Sequence, residues 1–324
     1  MRFRLLICLI LFFVFKSSHA QSTPQVVVSI KPIHSIVAFL MEDIASPELL
    51  LQSNNSAHTF HLKPSQIRMI ETADLVISIG DEFEIGLRRA LKNLDESNRF
   101  EIISLGSLNV HKYRADKIYE KAQPEDTQED LTADMHLWLD LNNVKKIAQH
   151  INGLLIDINP ANQDKYNMNL ASLNSKLDIL QIELEKQMLP FSSDLYATYS
   201  DTIQYFEKKY NLGRPVIVTP YHGARLSINR TLASKNTIND LNISCLIYGT
   251  EVRKSQISVL SEGLKIKAHK IDILGQEFDE GPNQYFNLMK KISNQVASCL
   301  KSVSYTHLRA HETPEHRVWP GLGE

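Results

Sequence analysis

Neither sign of charge is in excess in this chain: 35 Lys and Arg stand against 37 Asp and Glu, a net charge of -2. That balance gives no electrostatic case for binding nucleic acid. Catalytic signatures are missing too, because the chain beyond its first twenty residues holds no HExxH pair and no nucleophile motif. Cysteine is scarce, with three in 324 residues. A single long apolar run stands out, residues 5–15, and it is too short to span a bilayer as a helix.

That run decides how the ends are read. Arg2 and Arg4 precede it and Ser18-His-Ala20 closes it, the build of a secretory signal peptide cleaved after Ala20. Cys8 lies in the middle of the run rather than behind a small residue at its end, so it is not read as a lipidated cysteine. A soluble, exported, periplasmic protein beginning at Gln21 is expected. In an oxidising compartment the two remaining thiols, Cys245 and Cys299, more often pair than stay free. The bridge would close a loop of about 55 residues, worth on the order of 4 kcal/mol, and pin the last helix to its domain. Residues 302–324 change character, with His307, His311 and His316. Residues 303–313 match the translation of a sequencing adapter, and 302–324 are set aside as not native.

Residues 21–301 suffice for two compact domains. A short buried strand is expected at 26–30 and a helix at 33–41, then helix at 65–73, strand at 74–80, helix at 82–94 and strand at 102–105. Such alternation implies a parallel sheet flanked by helices. An acidic stretch at 120–134 reads as a solvated loop, with cation attraction as its sharper role. After a helix at 143–157, Pro160 opens a long helical segment in which Leu170, Leu173, Leu177, Leu180, Leu184 and Met188 share one face. The stripe by itself fits a coiled coil equally well. Standing between two α/β regions, it reads as a rigid helix packed across both. Strands at 195–199, 216–218, 245–248 and 270–274, with helices at 202–210, 255–263 and 283–300, repeat the alternation. The fold class is therefore α/β: an N-terminal lobe at 21–159, a linking helix at 160–189 and a C-terminal lobe at 190–301, with a ligand between the lobes at the carboxyl ends of the strands.

Two segments carry candidate ligands. In Ser56-Ala-His-Thr-Phe-His-Leu-Lys-Pro-Ser65 lie His58 and His61, on a loop leading into a helix, and in Ala133-Asp-Met-His-Leu-Trp-Leu-Asp140 His136 is embedded in an apolar run. Taken alone, the first two are surface histidines and the third a hydrogen-bonded core histidine. Set in order with Ser29-Ile-Lys-Pro, Ala73-Asp-Leu-Val and Tyr205-Phe-Glu-Lys-x-Tyr, however, these motifs resemble the zinc- and manganese-binding substrate-binding proteins of ABC transporters over residues 25–301. The resemblance implies two lobes joined by one long helix, a Cys245–Cys299 disulfide, and metal ligands at His58, His136 and Asp272. It also implies an inner-membrane permease with a cytoplasmic ATPase as the partner, and a monomer.

At the family's third ligand position, where His or Glu stands before Tyr-Phe, this chain has Ser200. A serine hydroxyl is a poor neutral ligand, whereas zinc takes three or four imidazole, thiolate or carboxylate groups. Asp201 or a water is expected to fill the gap, with His222 and His61 behind them. His34 is read as a capping or packing residue. The leading function is capture of Zn2+, with Mn2+ or Fe2+ as alternatives in an oxygen-rich shell. A metallo-hydrolase and a family member with impaired metal binding used in adhesion are the competing readings.

Overall fold

Val26–Val28 is three β-branched residues with no exposed face, the composition of a strand buried between helices rather than beside water. It forms β1 of a computed structural model that describes residues 23–51, 61–114, 133–219 and 227–310, with side chains to residue 301. Around β1 assemble β2 (Glu48–Leu49), β3 (Leu75–Ser78) and β4 (Arg99–Glu101), all parallel, in the order β2-β1-β3-β4. The helices of this lobe are α1 (Lys31–Leu40), α2 (Pro64–Glu71), the single turn α3 (Arg88–Leu91) and α4 (Leu141–Ile158). Proline in the first turn of α1 and of α2 presets the helical backbone where no N–H is needed.

The second sheet contains β5 (Ala197–Ser200), β6 (Val216–Thr219), β7 (Cys245–Gly249) and β8 (Lys267–Ile271), parallel and ordered β6-β5-β7-β8. Counted from the first strand of each lobe the two orders are the same, so the molecule is built from two copies of one winding pattern. In each the switch point, where the chain leaves one side of the first strand for the other, lies between the two central strands: β1 and β3, then β5 and β7. The second lobe adds α6 (Gln204–Lys209), α7 (Ile228–Asp240) and α8 (Lys254–Ser261).

Between the lobes runs α5 (Gln163–Met188). All six residues of the predicted stripe are buried, and α5 packs against α1, α4 and the last helix, α9 (Gln284–Ala310). A second element also spans the lobes, because α9 touches α1 on one side and β7 and β8 on the other. One continuous apolar core joins the first lobe, α5, α9 and the inner face of the second sheet, and a smaller core lies under α7 and α8. Direct ties reinforce this: the Lys31 ammonium donates to the carbonyls of Gln276 and Phe278, and the backbone N–H of Tyr285 donates to Ser35 Oγ.

Three local expectations shift. The strand expected at 102–105 is one turn earlier, and Ile102–Ser104 is a 3-10 turn that buries Ile102. The strand expected at 270–274 is at Lys267–Ile271, an edge strand in which only Ile271 is fully buried. Most of the helix expected at 82–94 is turn, with only Arg88–Leu91 helical. Among the described residues, no helix is long and apolar enough to cross a membrane.

Candidate metal centre

His136 enters a 3-10 turn, Leu137–Leu139, whose three side chains are fully buried. The turn is fixed on its far side by Asp140, which caps α4 by accepting from the N–H of Asn142 at 2.9 Å. On the near side Asp134, with no exposed surface, accepts from the His136 N–H at 3.0 Å and lies 2.6 Å from His136 Nδ1. A carboxylate accepts only, so Nδ1 carries the proton and Nε2 is the nitrogen with the lone pair. This carboxylate–imidazole pairing is the arrangement that orients a metal-ligating histidine. Phe83 and Trp138 hold the ring edge-on, with centroids 5.8 and 5.5 Å away.

Strand-end loops from both lobes converge on this residue. Phe83 follows β3, and Trp138 Nε1 donates at 2.8 Å to the carbonyl of Ile273, just past β8. Asp272, in that same loop, takes the N–H groups of Leu274, Gly275 and Gln276 on its two oxygens at 2.9, 3.0 and 2.6 Å. Three of its roughly four acceptor sites are thereby used, which leaves room for one more electrophile. Just past β7, Glu251 interacts electrostatically with His136, Lys270 and Asp272, and burial raises its pKa above the ordinary carboxylate value.

Ser200 ends β5, buried, its hydroxyl unpartnered among the described residues. Its neighbour Asp201 is held by Arg114: Nε donates to Oδ2 at 3.0 Å and Nη2 to Oδ1 at 2.5 Å. The same guanidinium reaches Glu207 Oε1 and Oε2 at 2.6 and 2.9 Å. Burial alone would lower the Arg114 pKa, but the hydrogen bonds and charges of Asp201 and Glu207 outweigh it and raise it. Gln204 donates to the carbonyl of Lys112, and the Tyr205 hydroxyl donates to that of Asp134 at 2.7 Å. The lobes are therefore knit by a buried polar network directly behind His136. Asp201 acts in it as the anchor of an arginine.

At the switch point of the first lobe a different carboxyl is buried. Glu84 Oε2 accepts from the N–H groups of Ile79 and Gly80 at 2.8 and 3.0 Å, closing the turn that carries Phe83. Burial raises its pKa to about 7, against the partial relief given by Ser29 and those two N–H groups. The folded state thus keeps a proton that the unfolded chain releases near its ordinary value of 4.5. Stability contributed here is present at low pH and is lost as pH rises from about 4.5 to 7, on the order of 3 kcal/mol in all. Glu84→Gln, which keeps an acceptor for both N–H groups, is expected to gain stability over wild type progressively through that window. Urea melts of both proteins at pH 5 and pH 8 check this, and an equal difference at the two pH values contradicts it.

The other residues singled out from sequence fall as follows. His34 is buried with Nε2 3.0 Å from the Pro47 carbonyl, a packing residue. His61 is exposed. His58, His222 and residues 120–132 of the acidic stretch lie outside the described residues. Among the described residues no three His, Cys, Asp or Glu side chains lie close enough together to hold a metal. Cys245 and Cys299 are disulfide-bonded, with Cα atoms 5.3 Å apart. Sequence reading missed Arg114 and Glu251, and it placed Asp134 at the end of a solvated acidic stretch, whereas Asp134 is fully buried against His136. The one local signal for Glu251 was its place just after a strand ending in glycine.

Comparison with known proteins gives this architecture a lineage. The family model for ZnuA, the periplasmic component A of the zinc-uptake complex, matches residues 26–299. The high-affinity zinc uptake system protein ZnuA of Brucella abortus (strain 2308) is 26% identical over 315 residues, covering 88% of this chain and 94% of that protein. A crystal structure of ZnuA superposes with a TM-score of 0.71 at 22% identity, covering 86% of this chain and 99% of that one. The substrate-binding protein FpvC of Pseudomonas aeruginosa, in complex with Mn2+, superposes with a TM-score of 0.73 at 14% identity, over 87% and 99%. With a family match across nearly all of the described fold, the chain belongs to the family of periplasmic zinc-uptake components.

Proposed function

We propose that this protein captures a divalent transition metal, zinc first, between its lobes and delivers it to an inner-membrane ABC permease driven by a cytoplasmic ATPase. It is exported, loses residues 1–20 and acts as a monomer, with lobes bounded at residues 159, 160–189 and 190. It performs no chemistry on its cargo. The observation that carries this reading is His136, whose Nδ1 is 2.6 Å from the buried Asp134 at the point where strand-end loops of both lobes meet. Asp272, with one acceptor site still available, and His58 complete the protein ligands in this reading. Asp201 is left out because Arg114 engages both of its oxygens.

Manganese is the second reading, favoured by the oxygen donors of the Asp272 loop beside a hydroxyl at Ser200. FpvC, which has the same fold, is known in complex with Mn2+. Calorimetric titration of metal-stripped protein, residues 21–301, with zinc and with manganese distinguishes them. Zinc is expected to bind tightly at one site and manganese more weakly, and His58→Ala is expected to abolish the tight phase. Unchanged zinc binding in His58→Ala removes that residue from the site, and binding of neither metal by wild type removes the capture reading.

A further inference from the structure

From Asp272 to Phe278 the chain that leaves β8 forms neither helix nor strand, yet its backbone is held from two sides. On the inside, the N–H groups of Leu274, Gly275 and Gln276 close on the Asp272 carboxylate. The carbonyls accept from side chains of three other elements. Trp138 Nε1 donates to Ile273 at 2.8 Å, Gln284 Nε2 to Leu274 and Gly275 at 2.9 and 3.3 Å, and Lys31 Nζ to Gln276 and Phe278 at 3.2 and 2.8 Å. Gly275 is needed for this, because its φ is +66° and a Cβ there would lie 2.3 Å from Gln284 Nε2. Two of the three donors, Lys31 and Trp138, belong to the first lobe.

Lys31 is the donor that its own element does not explain. It opens α1, the end of a helix at which the dipole disfavours a cation. A lysine near a surface normally keeps its ammonium in water, but Lys31 is only 8% exposed. Its acceptors are two carbonyls 245 and 247 residues away in sequence. A residue that breaks local preferences in this way is expected to serve something beyond its own helix. The burial is tolerable only while those carbonyls stay in place, since a buried charge stripped of its partners is costly. The ammonium and the loop therefore hold each other. Gln276 carries the grip inward, because its carbonyl accepts from Lys31 while its N–H donates to Asp272 Oδ2 at 2.6 Å.

We propose that Lys31 is a positioning residue. From the first lobe it fixes Gln276, and through Gln276 the direction in which Asp272 presents its remaining acceptor site. Its consequence for metal binding rests on the capture reading above, whereas the holding of the loop does not. The first lobe thus sets the geometry of a carboxylate that the second lobe carries.

Amide hydrogen exchange of the metal-free full chain, followed by NMR, and competition titration of zinc test this on wild type, Lys31→Met, Trp138→Phe and the control Lys291→Met. Lys291 ties the same loop from α9, but it binds only the side chain of Glu277 and is 40% exposed. Lys31→Met is expected to speed exchange at Leu274, Gly275 and Gln276 by at least about tenfold relative to the sheet amides of β7, since opening the loop no longer breaks two hydrogen bonds to a charged group. It should also weaken zinc by at least about tenfold, the smallest loss typical of outer-shell partners. Trp138→Phe removes one first-lobe donor and keeps an aromatic ring. It is expected to speed the same three amides, and it carries the exchange test if Lys31→Met does not fold. Lys291→Met is expected to match wild type. Unchanged loop exchange in Lys31→Met overturns the proposal, and so does equal acceleration of loop and β7 amides, which marks a general loss of stability. Faster loop exchange with wild-type zinc affinity overturns the role in capture. A wild-type chain that binds no zinc overturns the capture reading itself, while the exchange ratio still decides whether Lys31 holds the loop.

Discussion

His136→Ala is expected to weaken zinc binding by well over about 100-fold, more than the ~10–100-fold loss expected of Asp134→Asn. The ranking follows from geometry. Removing the imidazole deletes a donor from a shell that has no soft ligand to spare. Removing the Asp134 charge leaves the ring in place, wedged by Phe83 and Trp138, and costs only the grip on its tautomer and orientation. Stability carries the same information. Zinc at about 1,000 times its dissociation constant should add about 4 kcal/mol to wild-type unfolding. The same zinc concentration should add almost nothing to His136→Ala. Urea melts with zinc and with a chelator measure both numbers. Zinc binding by His136→Ala within tenfold of wild type would contradict the assignment of His136 as a ligand.

How much of this was legible in the sequence depended on the distance over which each interaction acts. The linking helix was readable because six of its buried residues recur as apolar side chains at helical spacing, a signal carried within one element. The helix α7 was not, because only Ser234 and Ile238 are buried in it, while Ile228 and Leu232 face outward. The strands β4 and β8 were displaced by three residues, since each is an edge strand with too few buried positions to fix a register.

The site divides in the same way. The proposed ligands His136 and Asp272 rest on motifs, whereas the meaning of Asp201 turned on Arg114, 87 residues away in sequence. A carboxylate beside a vacant ligand position invites the reading of a ligand until a buried guanidinium is found on it. Glu251 shows the converse, because it is the folded chain, rather than any pattern along one strand, that brings its charge within range of His136, Lys270 and Asp272.

Replacing both Cys245 and Cys299 by alanine is expected to lower the unfolding free energy by about 4 kcal/mol, the loop-entropy value for a closed segment of this length. The bridge joins residues 54 apart in sequence and both cysteines are fully buried. Out of a total stability of roughly 5–15 kcal/mol that is a large share. Its place magnifies the consequence, since Cys245 opens β7 and Cys299 lies on α9, the helix that also packs on α1 of the other lobe. Because burial shields the sulfurs, reductant added to folded protein should act slowly, and the same reductant in partly denaturing urea should act fast. Alanine is the better probe here, as a serine pair would bury two hydroxyls in an apolar core and add its own cost. Urea melts of the double variant should agree with those of wild type under reductant, and a difference from oxidised wild type below about 1 kcal/mol would show the loop already restrained in the unfolded chain. Since the staple acts mainly on the unfolded state, the folded double variant should bind zinc nearly as wild type does. The disulfide would then secure the frame on which Asp272 stands while leaving its geometry unchanged.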